Sequence, residues 1–208
     1  MPLRLWLPKC PLQDYNMPMN TLFLEGPIQT GKSTLIRKIL REVFDQDLSG
    51  VAGFTSQRIT DSDGNLLGFR LAPAASDLSV TADSVGTDNV FKYFTPSGSK
   101  TDMSVFETTG IELINEAYAA VKEGRAKVVL LDEIGGHELA SSAFRNELYK
   151  LLDSDVPCIG VVKSQSNTKH MDPTLLMLNK ELHNKLTVVT EFDEFESSLR
   201  FFLNQFIL

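Results

Sequence analysis

Eight consecutive residues, Gly26-Pro27-Ile28-Gln29-Thr30-Gly31-Lys32-Ser33, fit the pattern GxxxxGK[ST] in full. Their types suit one task, the grip of a polyphosphate. Gly26 and Gly31 permit backbone conformations in which N–H groups converge on phosphate oxygens. Pro27, Ile28, Gln29 and Thr30 span the distance between them, and Thr34 continues into a helix whose N-terminal end is electropositive. Lys32 brings a point charge to the β- and γ-phosphates, and Ser33 Oγ offers a hard oxygen ligand for Mg2+. A random chain of this length matches the pattern roughly 1% of the time, and here the match also stands between an apolar run and an amphipathic one.

A second chemical signal lies about a hundred residues on. Val128 to Leu131 are apolar and run directly into Asp132-Glu133. An acid after a strand is often no more than a turn residue. Beside a phosphate cradle it completes a nucleotide site, with Asp132 expected to hold Mg2+, directly or through water. Glu133 is expected to align or deprotonate an attacking water at the C-terminal edge of the sheet, where open α/β folds bind ligands. Pairing with a basic side chain is its other reading. Asp132-Glu133-Ile134-Gly135 also fits the GTPase DxxG pattern, but no NKxD guanine-reading motif follows, and no LSGGQ sequence is present.

These residues need a frame. Thr21 to Leu24 reads as a buried parallel strand. Leu35, Ile36, Ile39, Leu40, Val43 and Phe44 repeat at helical spacing, with Arg37, Lys38, Arg41 and Glu42 expected to face outward. Segments 53–59 and 66–71 form a hairpin about Asp61-Ser62-Asp63-Gly64-Asn65. Residues 72–108 read as an irregular insertion over the site, with one strand at 90–94. A helix from Ile111 stops at Gly124, strands follow at 128–131, 159–162 and 186–189, Phe144 to Leu152 marks a helix, and a phenylalanine-rich helix closes the chain. Strands alternating with helices predict the α/β class: a P-loop NTPase core with a mostly parallel sheet, helices on both faces, a β-hairpin and an irregular insertion.

Composition narrows the partners. Hydrophobic residues at 42% and charged residues at 23% indicate a folded chain. The net charge of -7 opposes nucleic-acid binding while leaving room for one nucleotide. No run approaches the ~18 apolar residues needed to span a membrane. Two cysteines and three histidines form no zinc pattern, Cys158 reads as a packed thiol, and a cytoplasmic monomer is expected. Residues 1–19 read as a flexible tail before a single domain over 20–208, with Met17 or Met19 as alternative starts.

The ordering of these motifs resembles a known family, the small cancer-related nucleoside-triphosphatases first described from thermophiles. The likeness rests on Phe23 to Ile36, Gly53-Phe54-Thr55-Ser56 with Gly68-Phe69, Asp132-Glu133-Ile134-Gly135 followed by Glu138-Leu139, and Phe144. It implies slow, Mg2+-dependent hydrolysis of nucleoside triphosphates with loose base preference, using Gly31, Lys32, Ser33 and Thr34 with Asp132 and Glu133. The chain departs from the family where Lys-Met usually precedes Glu-Leu, because Gly136-His137 stands there and a phosphate-touching charge is missing. The Gly-Phe strand ends at Thr60 instead of a basic residue, and the late Thr-x-x-Asn-Arg signature is not evident. Arg58, Arg70 and Arg145 are candidate transition-state arginines or surface residues. His137 is a proton shuttle or a turn residue, and Glu138 is expected to cap the next helix. Two other functions stay open: a nucleoside or small-molecule kinase with its acceptor pocket in 72–108, and a non-enzymatic ATP/GTP-binding switch or adaptor.

Overall fold

Leu22, Phe23 and Leu24 are all apolar because both faces of their strand are covered. Phe23 packs on one side of the sheet, and Leu22 and Leu24 pack on the other. Val128 to Leu131 repeat this arrangement, with Val129 and Leu131 on the first side and Val128 and Leu130 on the second. A computed structural model describes residues 20–86, 88–164 and 172–207, so the expected tail at 1–19 lies outside the described residues.

Nine strands among the described residues form one sheet: β1 (Thr21–Gly26), β2 (Val51–Thr60), β3 (Leu66–Pro73), β4 (Ser79–Thr81), β5 (Val90–Thr95), β6 (Gly98–Thr101), β7 (Val128–Ile134), β8 (Cys158–Lys163) and β9 (Val188–Val189). Their order is β6-β5-β3-β2-β7-β8-β1-β9, with β4 also paired to β2. The pairs among β2, β7, β8, β1 and β9 are parallel, and β3, β5 and β6 add an antiparallel wing. Helices α2 (Ile111–Lys122), α3 (Ser142–Leu152) and α4 (Pro173–His183) cover one face through Ile114, Phe144, Leu148, Leu178 and Leu182. Helices α1 (Lys32–Val43) and α5 (Phe192–Ile207) cover the other through Ile36, Ile39, Leu40, Phe195, Leu199 and Phe202. The α/β class with helices on both faces is therefore observed.

Three local expectations are corrected. The insertion is more regular than its composition suggested. Strands β5 and β6 pair antiparallel about a tight turn at 96–97. All four β6 residues are exposed, so no apolar alternation announced the strand. Nor does the wing lie over the site, since β3 and β2 separate β5 and β6 from β7. Ala74 reaches α1 through its carbonyl, which accepts from Arg37, and Asp77 to Ser79 face the helix across a groove of about 600 Å3 that Thr34 and Lys38 help to line.

Helix α4 was missed, although Asp172 caps it by accepting from the Thr174 and Leu175 amides (2.9 and 3.1 Å) and Pro173 opens its first turn. Its buried stripe, Leu175, Leu178, Asn179 and Leu182, hides because a polar residue sits within it. Glu138 does not cap α3. Ser141 does so, its Oγ accepting from the Phe144 amide at 3.3 Å.

Cys158 is fully buried, and burial pushes its thiol pKa up, as expected of a packing residue. The α2–α3 face centres on Phe144, whose ring lies 6.2 Å from that of Phe54 and 5.5 Å from that of Phe106. Phe144→Ala is expected to lower the unfolding free energy by about 3–5 kcal/mol, measured by urea denaturation followed by circular dichroism.

Candidate active site

Gly31 adopts φ 88°, ψ 15°, a left-handed conformation that turns the chain from the loop into α1 without a β-carbon penalty. The Leu35 amide donates to the Gly31 carbonyl at 2.9 Å and so closes the first helical turn. The amides of Lys32, Ser33 and Thr34 precede that bond, at the helix end where donors lack intrahelical partners. Residues Pro27, Ile28, Gln29, Thr30 and Gly31 are exposed around this end. Lys32 is buried, and its ammonium donates to the carbonyls of Gly26 (3.1 Å) and Pro27 (2.6 Å). The loop thus closes on its own lysine.

The sheet brings the acidic strand alongside. Strand β8 lies between β1 and β7, and Thr55 of β2 is the register partner of Asp132. Ser33 Oγ donates to Asp132 Oδ1 at 2.8 Å, and Thr55 Oγ1 donates to Oδ2 at 3.2 Å. One carboxylate therefore ties α1, β2 and β7 together. Burial raises the Asp132 pKa, opposed by the Ser33 hydrogen bond, the Arg37 charge, the Thr55 hydrogen bond and the Lys32 charge. Burial likewise raises the Glu133 pKa, opposed first by Lys163 and then by Lys32. Ser33 and Asp132 are in contact, and Glu133 follows Asp132 at the end of the strand.

A family model described as NTPase matches residues 21–194. The chain belongs to that family. The nucleoside-triphosphatase THEP1 of Aquifex aeolicus is 28% identical over 148 residues, covering 68% of this chain and 74% of the relative. Its namesake from a Thermotoga species is 24% identical over 173 residues, covering 79% and 90%. Two solved structures share the fold at 22% identity. The crystal structure of THEP1 from Aquifex aeolicus has a TM-score of 0.54 and covers 83% of this chain and 88% of that one. The solution structure of a human cancer-related nucleoside triphosphatase has a TM-score of 0.57 and covers 89% and 94%.

The site of this NTPase holds more than its motifs announced. Arg37, expected to face outward, is 5% exposed and donates to the Ala74 carbonyl at 2.9 Å, with its charge acting on Asp132. It stands one helical turn after Ser33, the spacing that could have found it. Arg58 is exposed, and Arg145 donates to the Leu139 carbonyl. His137 is exposed, whereas Glu138 is buried and accepts from the Gly136 amide at 2.7 Å. Asn179 of α4 clamps two strand tips, donating to the carbonyls of Gly135 (2.9 Å) and Lys163 (3.2 Å). His183 Nε2 lies 3.3 Å from Glu25 Oε2, one residue before the loop.

The Asp132 carboxylate is held by hydroxyls while its charge is desolvated, so changes around it have opposite signs. Thr55→Val, which leaves a buried acceptor short of a donor, is expected to destabilise the metal-free protein by about 1–3 kcal/mol. Asp132→Asn removes the desolvated charge and is expected to stabilise it by about 0.5–2 kcal/mol. Because the folded-state pKa of Asp132 is raised, the wild-type deficit shrinks as pH falls through that value and the carboxyl protonates. Urea titrations of the three proteins between pH 5 and 8, at about one-unit steps, test both signs.

Proposed function

We propose that the protein hydrolyses nucleoside triphosphates to the diphosphate and phosphate in a Mg2+-dependent reaction of broad base preference. The observation that carries this reading is the Ser33–Asp132 contact at 2.8 Å, which joins the phosphate loop to the acidic strand. Two hard oxygen donors from different elements suit Mg2+, which prefers a few protein oxygens completed by phosphates and waters. When bound, the ion would neutralise charge on the β- and γ-phosphates. Membership of the NTPase family and the names of its relatives support the same activity.

The residues divide the work. The backbone N–H groups of residues 26–34, all but that of Pro27, which has none, hold the phosphates, and Lys32 exchanges its loop carbonyls for phosphate oxygens. Ser33 and Asp132 would hold the metal. Glu133 lies at the strand end with its carboxyl raised by burial, which increases its capacity to accept a proton near neutrality. It aligns a water in line with the γ-phosphorus and takes its proton as the water oxygen bonds to phosphorus. The nucleoside diphosphate leaves as the bond to the bridging oxygen breaks.

The other functions draw less support from the geometry. A kinase acceptor pocket was tied to the insertion, and β5 and β6 extend the sheet edge beyond β3. An adaptor without turnover would not explain a buried acid beside the metal pair. Among the described residues no helix is long and apolar enough to cross a membrane.

Phosphate release from ATP, GTP, CTP and UTP measures the activity. Lys32→Ala and Glu133→Gln are each expected to lower kcat by about 100- to 1,000-fold, and chelation of Mg2+ by EDTA is expected to abolish turnover. Equal rates for wild type and Lys32→Ala would refute the reading.

A further inference from the structure

We propose that Lys163 is a second phosphate-binding cation of this enzyme, one that contacts the γ-phosphate and makes the site discriminate triphosphate from diphosphate. The proposal rests on the reading of 26–34 as the phosphate cradle and deepens it.

Strand order places the residue. β8 is the strand between the loop-bearing β1 and the acidic β7. Lys163 ends β8 as the register partner of Gly26, and the preceding Val162 is the partner of Ile134. The tip of β8 therefore stands between the first glycine of the cradle and the turn that follows the acidic pair. A nucleotide with its β-phosphate in the loop extends its terminal phosphate toward that gap.

Packing then directs the side chain. A β-carbon on Gly136 would stand 2.4 Å from Lys163 Nζ and 3.2 Å from its Cδ, so the lysine occupies space that any other residue at 136 would fill. The same β-carbon would stand 2.8 Å from Glu138 Oε2, so the ammonium and that carboxylate flank one position of the turn. Glu138 is anchored by the Gly136 amide at 2.7 Å, and the Lys163 carbonyl is clamped by Asn179 at 3.2 Å. Backbone and neighbours are fixed while a flexible four-carbon stem remains to swing.

Charge supplies the reason. Lys32, Arg37 and Lys163 face Asp132, Glu133 and Glu138 around the site. Lys163 is the largest charge opposing the burial of Glu133. Three carboxylates repel a triphosphate unless cations offset them, and Lys32 alone serves the loop. The turn at Gly136-His137 carries no lysine of its own, and Lys163 brings an ammonium to it from the adjacent strand. A γ-phosphate draws the ammonium of Lys163 across the gap; a diphosphate, ending at the loop, does not reach it.

The test uses the full chain with Mg2+ and compares ADP and GDP with their non-hydrolysable β,γ-imido triphosphates by calorimetry. Lys163→Ala is expected to weaken the imido triphosphates by about 10- to 100-fold while leaving diphosphate affinity within about twofold. Lys163→Arg, which keeps the charge, is expected to restore most of the triphosphate affinity. Turnover of ATP and GTP should fall in the alanine variant and recover in the arginine one. Equal losses for both nucleotide classes, or no loss for either, would overturn the assignment, the first marking a structural role. Lys32→Ala separates the layers, since the underlying reading requires it to weaken diphosphate and triphosphate alike. If it changes neither, the cradle itself has been misread.

Discussion

The Asp132 carboxylate joins the parts of this protein that must not move apart. It takes one hydrogen bond from the helix that follows the phosphate loop and another from the neighbouring strand β2. These donors come from positions 33 and 55, which lie 99 and 77 residues before the acid. A desolvated anion is costly to bury unless each oxygen is satisfied. That cost fixes the relative placement of α1, β2 and β7, and a phosphate site needs all three in place before its ligand arrives.

The surrounding sheet explains how the acid can be buried beside a solvent-exposed loop. The central strands are apolar on both faces, so helices cover them and leave only their C-terminal ends open. Polar chemistry is confined to those ends. The tips there are clamped: Asn179 reaches from α4 to the carbonyls of Gly135 and Lys163, and Glu138 folds back on the Gly136 amide. Pro27 to Gly31 are exposed, while Lys32, Asp132, Glu138 and Asn179 behind them are buried.

Charge around the site is distributed over several elements. The turn after the acidic pair, Gly136-His137, carries no lysine in the sequence. In space an ammonium stands at that turn, carried by a residue 27 positions beyond Gly136. Arg37 makes the same point from the opposite direction. It lies in a run of charged residues on α1, yet it turns inward toward the Ala74 carbonyl and the field of Asp132.

The sequence by itself determined the α/β class, and it carried the glycine-lysine loop pattern over 26–33 and the acidic strand end at Asp132-Glu133. Each of these is a local pattern: fixed glycine spacing, a switch from apolar run to helical period, and an acid at a strand end. The tertiary structure alone decided which strand stands between β1 and β7, which threonine meets Asp132, and where Lys163 and Arg37 direct their charges. Contacts of that kind join residues remote in sequence, and periodicity carries no information about which strand tips become neighbours. Helix α4 and the exposed strand β6 escaped for a related reason. The buried stripe of α4 contains Asn179, a polar residue whose partners are tertiary, and β6 has no buried face to leave an alternating trace.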